Sequence, residues 1–106
     1  MQNLDDFLYV WLDDERPMPK DYNTHVTTAE QAIELLKTGK VKVISLDHDL
    51  GSGKTEGIAV AKYIEEAAFH GTLEKIRVYL HTQNPVGKQN MKAAMRNALT
   101  YWMQRQ

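Results

Sequence analysis

The chain has 106 residues, 42% of them hydrophobic and 25% charged, with a formal net charge of -1 and no cysteine. That length supports one domain, residues 1–106, with its own core. The near-neutral balance excludes a broad, non-specific binder of extended DNA, which needs a basic excess, but leaves room for a local cationic pocket holding one phosphate. Without cysteine there is neither a disulfide nor a thiolate metal site. No apolar run reaches the ~18 residues of a membrane span, and Met1–Asp6 lacks the basic flank and apolar stretch of a signal peptide. A soluble, cytoplasmic protein without membrane contact is expected.

Phe7–Leu12 is apolar at every position, as in a central strand covered on both faces. Pro17 and Pro19 forbid an ordinary helix after it, so residues 14–22 read as an irregular connection. Asn23–Thr27 is short, polar and partly β-branched, which suits an edge strand. Thr28-Ala29-Glu30-Gln31 has the form of a capping box. Ala29, Ala32, Ile33 and Leu36 follow at helical spacing, and Gly39 sits where a left-handed stop is wanted. Val41–Leu46 is the next strand. A glycine-rich loop through Gly57 leads into a helix whose apolar face is Val60, Ala61, Ile64, Ala67 and Ala68, with Gly71 as its stop. Lys75–Leu80 returns as a strand. After Asn84-Pro85 the last helix carries Met91, Ala94, Met95, Ala98, Leu99 and Trp102 on one core-facing stripe. The order is β-β-α-β-α-β-α, with the helix that normally follows the first strand replaced by the proline-containing loop. Right-handed crossovers place the strands as 2-1-3-4, a short flavodoxin-like, three-layer α/β fold with a mainly parallel sheet.

Three apolar runs end in polar clusters: Asp13-Asp14-Glu15-Arg16, Asp47-His48-Asp49 and His81-Thr82-Gln83-Asn84. Ligands of open α/β sheets bind outside the carboxyl ends of the strands, so at least three carboxylates and two histidines are expected in one crevice. Gly51-Ser52-Gly53-Lys54-Thr55 lies between a strand and a helix, but the position where a phosphate loop needs its first glycine is His48. Lys54 and nearby backbone N–H groups can still hold one anion. Asp47-x-Asp49-x-Gly51 lacks the third acid and the later glutamate of a calcium loop. Asp13, Asp14 and Asp47 form an acidic pocket that either caps helices and pairs with Arg16 or Lys54, or recruits a hard cation such as Mg²⁺. His48 and His81 end adjacent strands, so one imidazole can take a proton from water while the other gives one to a leaving oxygen. Asp47 or Asp49 would orient a ring. His25 and His70 read as structural.

The runs Trp11–Pro17, Ile44–Gly51 and His81–Gly87, with Asn90-Met91, resemble those of the cyclic-phosphate-processing receiver-like family, a modified response-regulator receiver found in bacteria and phages. The likeness covers nearly the whole chain. It implies a receiver-like fold and an activity on cyclic phosphates, including 2′,3′-cyclic ends of broken RNA and hence RNA repair. Compared with ordinary receivers, Asp13 and Asp14 match the metal-binding acids and Asp47 matches the phosphoacceptor. His81 takes the strand-four hydroxyl position, with Thr82 one residue later. The fifth strand and its Lys-Pro are missing, which argues against stable aspartyl-phosphate signalling.

The leading expectation is a phosphodiesterase that opens a cyclic phosphate with His48 and His81 as acid–base pair. Asp47 and Asp49 orient the histidines, while Arg16 and Lys54 meet phosphate oxygens. Thr82 and Asn84 hydrogen-bond a ribose or phosphate. Either no cofactor is required or Asp13, Asp14 and Asp47 hold Mg²⁺; the residues lean to the metal-independent form, in which Asp13 and Asp14 keep Arg16 in place. The partner would be a small phosphorylated ligand or an RNA terminus. Alternatives are a non-catalytic degenerate receiver that binds a phosphorylated ligand or a protein, and a Mg²⁺-dependent phosphatase or nuclease.

Overall fold

In the computed structural model, which describes residues 7–47, 57–82 and 84–105, seven elements follow one another. They are β1 (Leu8–Leu12), β2 (Thr24–Val26), α1 (Ala29–Leu36), β3 (Val41–Leu46), α2 (Gly57–His70), β4 (Arg77–Leu80) and α3 (Pro85–Gln104). The strands form one sheet of order β2-β1-β3-β4, and every pairing is parallel. This is the strand order and receiver-like α/β architecture that the sequence pattern implies.

Register decides what each face carries. Val10, Ile44 and Val78 align across β1, β3 and β4, as do Leu12, Leu46 and Leu80. These side chains share a continuous core with Ala29, Ala32 and Leu36 of α1, Val60, Ile64 and Ala68 of α2, and Met91, Ala98 and Trp102 of α3. The helices therefore gather over one face of the sheet. The opposite face carries two other rows, Tyr9–Val43–Arg77 and Trp11–Ser45–Tyr79. Its cover is the connection after β1, whose Arg16 carbonyl accepts from Trp11 Nε1 at 3.2 Å and whose Tyr22 packs edge-on against Trp11 at 5.3 Å. The third layer is thus a loop, and it covers only part of its face.

Local chemistry sets the boundaries. Thr28 caps α1: its hydroxyl accepts from Gln31 N, and the Gln31 side chain accepts from Thr28 N. That reciprocal pair satisfies donors the first turn would leave bare. Gly71 follows α2 with φ +75°, where a side chain would be strained, and the Arg105 guanidinium donates to the carbonyls of Ala68 and Phe69. Trp102 Nε1 donates to Leu73 O at 2.8 Å, fixing α3 against the entry to β4. Two expectations shift. β4 begins at Arg77 rather than Lys75, and Leu99 is 42% exposed because the buried stripe runs through Met91, Ala94, Ala98 and Trp102 and turns Leu99 outward.

Candidate functional site

Leu12, Leu46 and Leu80 are aligned, so the residue after each falls into one row at the carboxyl edge of the sheet. Those residues are Asp13, Asp47 and His81. Their backbone N–H groups continue the ladder: Asp13 donates to Val26 O at 3.1 Å, Asp47 to Leu12 O at 3.2 Å, and His81 to Leu46 O at 3.0 Å. Alternation puts all three side chains on the loop-covered face, in line with Trp11, Ser45 and Tyr79. Ligand atoms of Asp13, Asp47 and His81 lie within 4.8 Å of one another.

The His81 ring turns back over β3, where Ser45 is small enough to leave room for it. It stacks on Trp11 with centroids 3.9 Å apart and planes 10° from parallel. Nε2 meets Asp13 Oδ2 at 3.0 Å, and Nδ1 meets Ser45 Oγ at 2.7 Å. A carboxylate can only accept, so Nε2 carries the proton and Nδ1 the lone pair, to which the Ser45 hydroxyl donates. Asp13 is fully buried, and its Oδ1 accepts from Glu15 N and Arg16 N, both at 2.8 Å. Arg16 Nη1 lies 4.0 Å from Asp13 Oδ2 and donates to His81 O at 2.8 Å.

Burial alone would push the Asp13 carboxyl up. The backbone N–H groups of Arg16 and Glu15, together with the His81 ring, outweigh it and hold the carboxyl below its ordinary range. For His81, burial pushes the imidazole down. The hydrogen bond to Asp13 and the charges of Asp13 and Asp47 oppose that, Arg16 reinforces it, and the ring ends below its ordinary value. An ionised Asp13 therefore faces a neutral His81 near pH 7.

Of the residues singled out in the sequence, Asp13, Asp47 and His81 come together. Asp14, half-buried, is not part of that group among the described residues. Arg16 is at the site, with one guanidinium nitrogen committed to the His81 carbonyl. Thr82 Oγ1 accepts from Asn84 N at 3.1 Å, and Asn84 Oδ1 accepts from Gly87 N at 2.9 Å, so both shape the start of α3. His48, Asp49 and Lys54 lie outside the described residues. The ring nitrogens of His81 are hydrogen-bonded by Asp13 and Ser45, and the charge of Asp47 also acts on the ring. His25 and His70 have structural contacts: His25 Nε2 with Asp13 O at 2.8 Å, and His70 with Glu66 at 3.8 Å. Sequence reasoning missed Trp11 as a wall of the site and Ser45 as a ring partner. Ser45, a hydroxyl within an otherwise apolar strand end, was the available signal.

A parallel sheet of order 2-1-3-4 with acids closing β1 and β3 defines a receiver-like α/β domain. The chain belongs to the family described as the cyclic-phosphate processing receiver domain, which matches residues 8–97. That description ties the chain to cyclic-phosphate processing. No match was found among curated proteins or solved structures.

Proposed function

We propose that this chain is a phosphoesterase that opens a cyclic phosphate with water, using His81 as the proton acceptor. The observation that carries the proposal is the chain of contacts Asp13 Oδ2–His81 Nε2 and His81 Nδ1–Ser45 Oγ at the row of strand ends. Such a chain fixes the tautomer and compensates the imidazolium that forms when the ring gains a proton, while burial keeps the resting ring neutral near pH 7. Nδ1 becomes available to water when the Ser45 hydroxyl turns off it. Water oxygen bonds to phosphorus as its proton passes to Nδ1. The bond from phosphorus to one ribose oxygen breaks, and that oxygen takes a proton from His48 in this scheme. Arg16 and Lys54 are the cations assigned to the phosphate oxygens, Asn84 and Thr82 the neutral hydrogen-bonding groups, and Asp49 the neighbour that orients His48.

A second reading, metal-dependent hydrolysis, is favoured by the closeness of Asp13, Asp47 and His81. Two carboxylates and an imidazole suit Mn²⁺ or Zn²⁺ better than Mg²⁺. A cation there would replace the proton that Asp13 and His81 now share and would sit against Arg16, which is why the metal-independent form is preferred. Phosphorus NMR of a nucleoside 2′,3′-cyclic phosphate incubated with the protein and a chelator separates them. Conversion to a monophosphate in chelator is expected. Conversion only with added Mn²⁺ or Zn²⁺ would favour the second reading, and none under either condition would overturn both.

A further inference from the structure

We propose that the helix-free face of the sheet is a platform for a short single strand of RNA whose 3′ end reaches the Asp13–His81 row. The inference rests on the reading above for the identity of the strand, and it names the substrate class of that same site. Two rows lie directly behind the catalytic one on this face, Trp11–Ser45–Tyr79 and then Tyr9–Val43–Arg77, about 7 Å apart at two residues per step. The surface therefore runs continuously from Arg77 through Tyr79 to His81 along β4.

Its chemistry matches a nucleic-acid strand. A groove here is lined by Tyr9, Tyr22, Tyr79, Lys42 and Arg77, with Asp21 as its one acid. Tyr79 is 49% exposed, and Tyr22 packs edge-on against Trp11, which in turn stacks on His81. Tyr22 thus joins the groove, through Trp11, to the ring of the site. Aromatic faces take bases and cations take phosphates, the combination that holds single strands without reading sequence. Arg77 forms no ion pair among the described residues, and Lys42, over the Phe7 ring at 4.4 Å, lines the groove beside it. A protein partner would need an apolar centre, and the groove offers only Val43 besides its rings. The strand is RNA because a 2′,3′-cyclic end requires the 2′-hydroxyl. It is short because the overall charge of -1 gives no field beyond the groove.

The test is fluorescence anisotropy of a 5′-labelled single-stranded RNA oligomer with a plain 3′-hydroxyl, titrated with the full chain across salt concentrations. Two cations meeting two phosphates predict a log–log salt slope of about −1.4, falling to about −0.7 in Arg77→Ala. Tyr79→Ala should weaken binding about tenfold, while Tyr79→Phe retains it. Both positions are exposed, and far-UV circular dichroism verifies folding. No binding by the wild type at low salt, or equal binding by Tyr79→Ala and Arg77→Ala, would overturn the platform. Because this probe is not hydrolysed, binding without turnover of any cyclic phosphate would support the platform and remove the hydrolase. Turnover of a mononucleotide without affinity for the strand would do the reverse.

Discussion

Asp13→Asn is the sharpest perturbation, since it changes one atom and reverses one hydrogen bond. Oδ1 of the new amide still accepts from the backbone of Glu15 and Arg16, the two contacts at 2.8 Å. The other position becomes an NH₂ aimed at His81 Nε2, where the carboxylate oxygen now sits at 3.0 Å. Donor would face donor, so the ring must move its proton to Nδ1 and donate to Ser45. The acceptor nitrogen is thereby lost, together with the carboxylate that stabilises the imidazolium. A rate loss of ~10²–10⁴ is expected, with a stability change of only about 1 kcal/mol. Asp13→Ala differs in kind: it strands two backbone donors and the ring. At about 1–3 kcal/mol per orphaned group, reduced because Glu15 and Arg16 reach solvent, the cost is about 3 kcal/mol, or roughly 12 °C in Tm. Long-range ¹H–¹⁵N NMR reports the His81 tautomer, and turnover of a cyclic phosphate reports the rate. An Asp13→Asn protein with the proton still on Nε2 and an unchanged rate would refute the reasoning.

Ser45 gives room to the imidazole and a donor to it. Ser45→Ala should cost about 1 kcal/mol, whereas Ser45→Val places a branch where the ring lies and should cost about 1–3 kcal/mol; urea unfolding that ranks them the other way would contradict the packing. Stability should also respond to pH through His81. Its folded pKa lies below the ordinary 6.5, so the unfolded chain binds the proton first as pH falls. The contribution is complete above about pH 6.5 and is lost as pH drops through the folded value. The urea midpoint should therefore fall between about pH 7 and pH 5, and fall less in His81→Gln; equal falls would remove His81 as the cause. Asp13, held below its ordinary 3.8, loses its contribution only in stronger acid.

Much of this architecture is legible in the residues. Apolar runs ending at Leu12 and Leu46 announce buried parallel strands, whereas β4, ending at Leu80, is a half-exposed edge strand; register then forces Asp13, Asp47 and His81 into one row. Thr28 and Gly71 mark helix ends because their chemistry is local. What periodicity cannot reveal is a side chain's turn within the row. Whether His81 leans toward Asp47 or back over Ser45 depends on the volume above β3 and on Trp11 two strands away, a tertiary effect without a local signature. Thr82 and Asn84 illustrate the same gap, since polar side chains after a strand serve a ligand or a helix cap equally well by composition. The bare sheet face follows from Pro17 and Pro19, which replace a helix by a loop too short to cover Tyr9 and Tyr79.

The decisive measurement is the turnover of a 2′,3′-cyclic nucleotide in chelator by wild type and His81→Ala, followed by phosphorus NMR. Hydrolysis by the wild type with a loss of ~10²–10⁴ in the folded variant is the predicted result. An undiminished rate in His81→Ala would contradict the assignment of this imidazole as the proton acceptor.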